Sequence, residues 1–135
     1  MFARPYGLAR LAEALAWQGE HTAAIAAARD GLEVQEQTGW RQWEAELHRL
    51  EGIALLGLNR LEEGQIALKQ ALRVARRQQA KAYELRAATS LARLWGEQGR
   101  RAEACDLLAP IHGWFTEGFD TADLREAAAL LSELR

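Results

Sequence analysis

The sequence predicts an all-α protein built as a stack of antiparallel helix hairpins, and three observations lead there. Leu and Ala dominate the 135 residues, Pro occurs only twice and β-branched residues are scarce, a composition that favours long helices over strands. Three turn-like spots, "WQGEH", "LGLNR" and "EQGRR", centre on Gly19, Asn59 and Gly99. They are 40 residues apart, and each is a residue type that tolerates the left-handed conformation closing a helix. The same offset recurs in side-chain size. Large residues stand four positions before the turns at Leu15, Leu55 and Trp95, and small ones five positions after them at Ala24, Gly64 and Ala104. Large before a turn and small after it is what two antiparallel helices need to pack closely.

The elements follow in order. A helix over 5–18 brings Ala12 and Leu15 to the Gly19 turn, and its partner over 21–38 answers with Ala24 and Leu32. The second pair, 41–58 and 61–79, repeats this with Gly52, Leu55, Gly64 and Leu72 about Asn59. Glu44, Glu46, Glu62 and Glu63 fall at helix starts or on solvated faces, where they favour the helix dipole and imply no acid–base chemistry. The third pair, 81–98 and 101–116, carries Ala92, Trp95 and Ala104 about Gly99, with His112 where the earlier units have leucine. Pro110 removes one backbone hydrogen bond from the helix over 101–116 and predicts a kink there. Leu108, Ile111 and Phe115 share a face and are expected to point inward. Gly118 is expected to end that helix, Thr121 or Asp120 to cap the next one, and Phe119 to fold back as a hydrophobic staple. The crowded stretch "HGWFTEGFDTADL" is thus read as a structural junction rather than a ligand pocket. A seventh helix over 121–134 takes the place of a first helix whose partner is missing, and so reads as a cap. The result is one domain in units of about 1–40, 41–80 and 81–118, closed by 119–135.

Chemical candidates are few. A net charge of -2 gives no general pull toward nucleic acid or membrane. The single cysteine, Cys105, excludes an internal disulfide and fits a reducing cytoplasm. No apolar run approaches the ~20 residues of a membrane span, and the first ten residues have no signal-like apolar core. His21, His48 and His112 fall in three different units, which argues against a metal site. Cys105 and His112 share a face two turns apart, too far along the axis, at roughly 10 Å, for a hydrogen bond. No phosphate-cradling glycine motif is present. Neither a catalytic residue nor a cofactor is expected.

Charge is distributed unevenly. Arg60–Arg101 holds ten Lys or Arg against four Glu, whereas the remainder holds seven basic against fifteen acidic residues. Lys69, Arg73, Arg76 and Arg77 make a basic stripe on one helix, which would suit phosphates or an acidic partner; the alternative reading is a solvated outer face. No aromatic residue interleaves with those cations, so a stacking platform for single-stranded nucleic acid is not indicated.

Gly52 and Ala92, the left-handed turn seven residues later, and Ala24, Gly64 and Ala104 beyond it resemble the tetratricopeptide repeat, though that repeat usually spans 34 residues. HEAT-like repeats match the period better but not the placement of small residues. Over most of the chain, "WEAELHRLEG", "ELRAATSLARLWGEQGRRAEACDLLAP" and "GWFTEGFDTADLREAAALLSEL" resemble the C-terminal tail of large bacterial regulators. Those proteins carry a class III adenylate or guanylate cyclase domain, a nucleotide-binding ATPase domain and then such repeats. The resemblance implies a right-handed superhelical, tetratricopeptide-like solenoid of about three and a half units and seven helices. It also implies a non-catalytic scaffolding role in bacterial signalling, binding a protein or peptide partner or other domains of a parent protein. Self-association as a homodimer is the alternative.

In such stacks the first helix of each pair lines the concave surface. The positions this implies are Tyr6, Glu13 and Trp17 on the first unit, Glu46, Arg49 and Ile53 on the second, and Arg86, Thr89, Arg93 and Glu97 on the third. Their chemistry suits an extended or helical segment bearing carboxylates, which Arg binds bidentately. The family's carboxylate clamp is not reproduced, since Asn59 is the only asparagine. Reversing Arg49 and Arg93 together is expected to abolish binding without touching helicity or melting.

Overall fold

The computed structural model describes residues 5–135. Among them are seven α-helices and no strand: α1 (Pro5–Trp17), α2 (His21–Thr38), α3 (Glu44–Gly57), α4 (Leu61–Arg77), α5 (Lys81–Glu97), α6 (Arg101–Trp114) and α7 (Ala122–Leu134). Every expected helix is present, with its ends displaced by three residues at most. The first four residues of the first expected unit lie outside the described residues.

Gly19, Asn59 and Gly99 all adopt the left-handed conformation, at φ of 77°, 62° and 79°. In each hairpin turn that residue's N–H reaches the carbonyl three positions back, and the next N–H reaches five positions back, as in Glu20 to Leu15 at 2.8 Å. This pair of bonds satisfies carbonyls a helix end would otherwise leave bare. Gly39 and Gln79, also 40 residues apart, are left-handed as well and turn the chain from one hairpin into the next. Gln79 adopts φ 55° without being glycine; its N–H donates to the Arg76 carbonyl and the Ala80 N–H to the Ala75 carbonyl, repeating the same pair of bonds.

The helices pack as neighbours. α1, α3, α5 and α7 touch in series, while α2, α4 and α6 each sit against the two members of that series that flank them in sequence. Among the described residues α2, α4 and α6 do not pack on one another. Leucine and alanine fill the seams. Leu47 and Leu50 join Ala9, Ala12, Ala27 and Ala28 at one end, and Leu85, Leu91, Leu108 and Leu131 form the largest cluster at the other.

The small residues at the hairpin seams are buried as a set: Ala12 with Ala24, Gly52 with Gly64, and Ala92 with Ala104. The middle pair is tightest. A Cβ on Gly64 would lie 2.5 Å from Leu56 and 3.1 Å from the Gly52 carbonyl, and one on Gly52 would lie 3.1 Å from the Gly64 carbonyl. Backbone cannot yield there as a side-chain tip can. Gly64→Ala, which in an exposed helix would stabilise by up to about 1 kcal/mol, is therefore expected to cost about 1–3 kcal/mol through overpacking. Chemical denaturation would show this as a lower midpoint with an unchanged slope, and a raised midpoint would contradict the close approach.

The junction between α6 and α7 departs from expectation in three ways. α6 runs through the exposed Pro110, as expected, but ends two residues early at Trp114, where Phe115 turns extended at φ -76° and ψ 136°. Gly118 is left-handed but stands beyond the helix end, closing a separate turn in which the Thr121 N–H donates to its carbonyl at 2.9 Å. Thr121 holds the N-cap position without a side-chain capping bond. Phe119 is half exposed and meets His112 at 6.3 Å between ring centroids instead of stapling α7. One cause accounts for the first two departures: an extended Phe115 uses up the residues that would have let Gly118 terminate the helix directly. Leu108 and Ile111 are buried and Phe115 packs against the same core, as the helical spacing requires.

Candidate interaction groove

Because α1, α3, α5 and α7 lie side by side, residues 40 apart fall into rows across them. Glu46 and Arg86 meet at 2.6 Å, and Ile53 and Arg93 line one groove. Between these helices runs a groove of about 460 Å³. Its walls include Glu13, Ala16 and Trp17 from α1, Arg49, Leu50 and Ile53 from α3, Arg86, Ser90 and Arg93 from α5, and Glu126 from α7. Six of the ten expected groove residues thus come together on one lining.

The other four are placed differently. Glu46 lies beneath the lining at 5% exposure and Thr89 is buried too, its hydroxyl donating to the Leu85 carbonyl at 2.7 Å within α5. Tyr6 borders an adjoining depression of about 190 Å³, together with Trp43 and Tyr83. Glu97 is exposed at the end of α5, away from these linings. Arg49, although it touches the groove, is only 9% exposed.

An ionic network forms the floor. Glu46 accepts from Arg49 Nε at 2.9 Å and Nη2 at 2.5 Å, and also meets Arg86 Nη1 at 2.6 Å. Arg86 further reaches Glu13 at 3.4 Å and Asp123 at 3.6 Å, so one guanidinium meets carboxylates from α1, α3 and α7. Arg93 pairs with Glu126 at 2.8 Å. Burial pulls the Arg49 guanidinium down, but the hydrogen bonds and charge of Glu46 more than offset it and hold the group above its ordinary value. The expectation that Arg49 can be reversed without touching melting fails here, because its side chain is buried and bidentate. Helical spacing placed these arginines on one face of their helices, but not the acids that would meet them. Asp123 and Glu126 enter because α7 packs on α5.

The basic stripe lies on α4, with Lys69, Arg73, Arg76 and Arg77 all exposed. Two of the four are already paired, Arg76 with Glu84 at 3.1 Å and Arg77 with Glu44 at 3.2 Å. Lys69 lies 6.0 Å from the Trp95 ring, and Arg73 is hydrogen-bonded to Gln70. Cys105 is a half-buried packing residue at the edge of the largest cluster. Among the described residues, no three His, Cys, Asp or Glu are grouped to hold a metal ion, and no helix is long and apolar enough to cross a membrane.

Between α2 and α4 a furrow of about 370 Å³ exposes His48 beside Glu51, Arg29 and Ile66. Burial holds the His48 imidazole below the ordinary histidine value, outweighing the pull of Glu51 and Glu44. Protonation then favours the unfolded chain, so stability is full above about pH 6.5 and declines as pH falls from there through the lower folded-state value. The thermal midpoint should drop more for the wild-type chain than for His48→Gln between about pH 7 and about pH 5. Parallel drops would contradict this assignment.

No protein-family model matches the chain, and no curated protein matches its sequence.

Proposed function

We propose that the chain is a non-catalytic protein–protein interaction module that grips its partner in the groove between α1, α3, α5 and α7. The observation that carries this is Trp17, 87% exposed on the wall of a groove that also presents Ile53. A bare indole above a half-buried aliphatic residue is the chemistry of an interface anchor. The guanidinium groups expected to read carboxylates are already engaged by the chain's own acids, so recognition rests on the apolar wall, with Arg93 and Glu126 at its rim. Affinity should accordingly respond weakly to salt.

The proposal includes the architecture, a right-handed tetratricopeptide-like solenoid of about three and a half units. It also includes the setting, a cytoplasmic scaffold forming the tail of a larger bacterial cyclase- or ATPase-type signalling protein. The serial contacts of the odd-numbered helices support the first, and the motifs quoted from the sequence support the second. The test is a binding comparison with the native partner. Trp17→Ala with Ile53→Ser should weaken pull-down at least tenfold while helicity and melting hold, and reversing Lys69 and Arg73 should leave binding unchanged. Retained binding in the first variant and loss in the second would move the site to the α4 stripe.

Self-association is a second reading, favoured by the apolar exposure of the first helix, which the last helix does not share. α1 presents Tyr6, Leu11 and Trp17 to solvent, whereas α7 turns outward Arg125, Ala128, Ser132 and Glu133. A homodimer would therefore pair α1 with α1 about a two-fold axis. Light scattering separates the two readings: a monomer at micromolar concentration supports the groove, and a concentration-independent dimer supports pairing.

A further inference from the structure

The stretch after α6, read from the sequence as a structural junction, also encloses a depression of about 520 Å³ against the starts of α5 and α7. Its floor is apolar, since Leu85 and Leu124 are buried there. Trp114 and Phe115 stand on its wall, with their rings edge to face at 5.2 Å between centroids. Phe115 packs against the core, which accounts for its place in the junction, whereas Trp114 is 57% exposed. Two carboxylates, Glu117 and Asp123, line the same depression, and no Lys or Arg does. Among the described residues Glu117 makes no ion pair.

We propose that this depression takes the guanidinium of an arginine side chain presented by a partner, as a second site separate from the groove. Charge selects a cation. Arg86 neutralises Asp123 only in part, because its network sets two guanidinium groups, Arg49 and Arg86, against three acids, Glu13, Glu46 and Asp123. Glu117 adds a full negative charge. α5 and α7 both begin beside the depression, and each start carries about half a positive charge, so together they offset one of these carboxylates and not both. Lys81 stands outside the lining and is held by Glu84 at 3.3 Å. An uncharged occupant would cover Glu117 and Asp123 without pairing them, at the cost of their hydration. The aromatic wall then favours arginine among cations, because a planar guanidinium can lie on an indole face and still bond carboxylates with its N–H groups, as a compact ammonium cannot. The chain itself shows this pairing. Trp95 holds two cations, Arg100 at 4.6 Å and Lys69 at 6.0 Å from its ring, whereas Trp114 holds one, Lys81 at 5.2 Å, and borders the depression.

The test is a titration of the full chain with a capped peptide, Gly-Gly-Arg-Gly-Gly, followed through the tryptophan indole N–H signals in nitrogen–proton correlation spectra. Matched peptides carry citrulline, which keeps the shape without the charge, lysine, which keeps the charge without the planar fork, or glutamate. The arginine peptide should shift the Trp114 signal and leave Trp17 in place. Citrulline should weaken binding roughly tenfold, and lysine should weaken it by a smaller factor. Glu117→Gln should also weaken the arginine peptide roughly tenfold while circular dichroism is unchanged. Trp114→Leu, followed at the Gly118 amide, should do the same. No Trp114 shift at millimolar peptide, or an equal response to the citrulline or lysine peptide, would overturn the inference. A stronger response to glutamate would overturn it too, by giving the depression to anions at the two helix starts. A shift confined to Trp17 would place the arginine in the α1–α3–α5 groove, and so would overturn the second site while leaving the interaction-module reading intact.

Discussion

Deleting residues 119–135 is expected to lower stability by on the order of 4 kcal/mol, a large share of the roughly 5–15 kcal/mol that holds a typical domain. α7 contributes Leu124, Ala127, Leu130, Leu131 and Leu134, all buried, to the cluster that also holds Leu85, Leu91, Leu108 and Ile111. Without it those partners on α5 and α6 face water, and Arg86 and Arg93 lose Asp123 and Glu126. The outward face of α7 is polar or small, so the helix covers an apolar surface without creating another. Calorimetry of the truncated chain should show a midpoint lower by about 10–20 °C. Leu131→Ala is the milder check, since it leaves α7 in place and should cost about 2–4 kcal/mol. An unchanged midpoint in both variants would remove α7 from the cooperative core.

Arg49→Glu is expected to cost about 3–5 kcal/mol, although it changes one side chain in a helix that tolerates glutamate elsewhere. The new carboxylate would stand beside Glu46 in a buried site, and Arg86 alone would face both while still serving Glu13 and Asp123. Arg49→Met keeps the bulk and leaves Glu46 bonded to Arg86 at 2.6 Å, so it should cost less, about 1–3 kcal/mol. The ordering of the two variants in urea unfolding is the check. Equal stability of Arg49→Glu and wild type would mean that the network does not form in solution.

Much of the fold could be read from residue size and spacing. The hairpin turns fell at Gly19, Asn59 and Gly99 because the left-handed conformation is costly for most side chains, so its positions mark the sequence. The seam pairs were legible because close helix approach excludes large residues, as the Gly52 and Gly64 carbonyl contacts show. Gln79 left no such mark, because glutamine carries no preference for the positive φ it adopts between α4 and α5. The junction after Trp114 was misread because Gly118 signals a left-handed residue, not which turn that residue serves.

The site was less legible. Helical spacing put Glu13, Trp17, Ile53, Arg86 and Arg93 on one side of their helices, and they do share a groove. Spacing carries no information on which acid meets which base, so the burial of Glu46 and Arg49 became visible only with α3 packed between α1 and α5. The Trp43–Tyr83 pair did have a sequence signal, since the two are 40 residues apart within the helices expected over 41–58 and 81–98.

Site-specific photo-crosslinking tests the central claim most directly. A benzoylphenylalanine placed at Ile53 samples the groove, and one at Ile66, which is 67% exposed beside the α2–α4 furrow, samples another surface. A discrete protein adduct is expected from position 53 and not from 66, and it should disappear when Trp17→Ala is added. Adducts from position 66 alone, or an adduct at 53 that persists without Trp17, would contradict recognition through the groove.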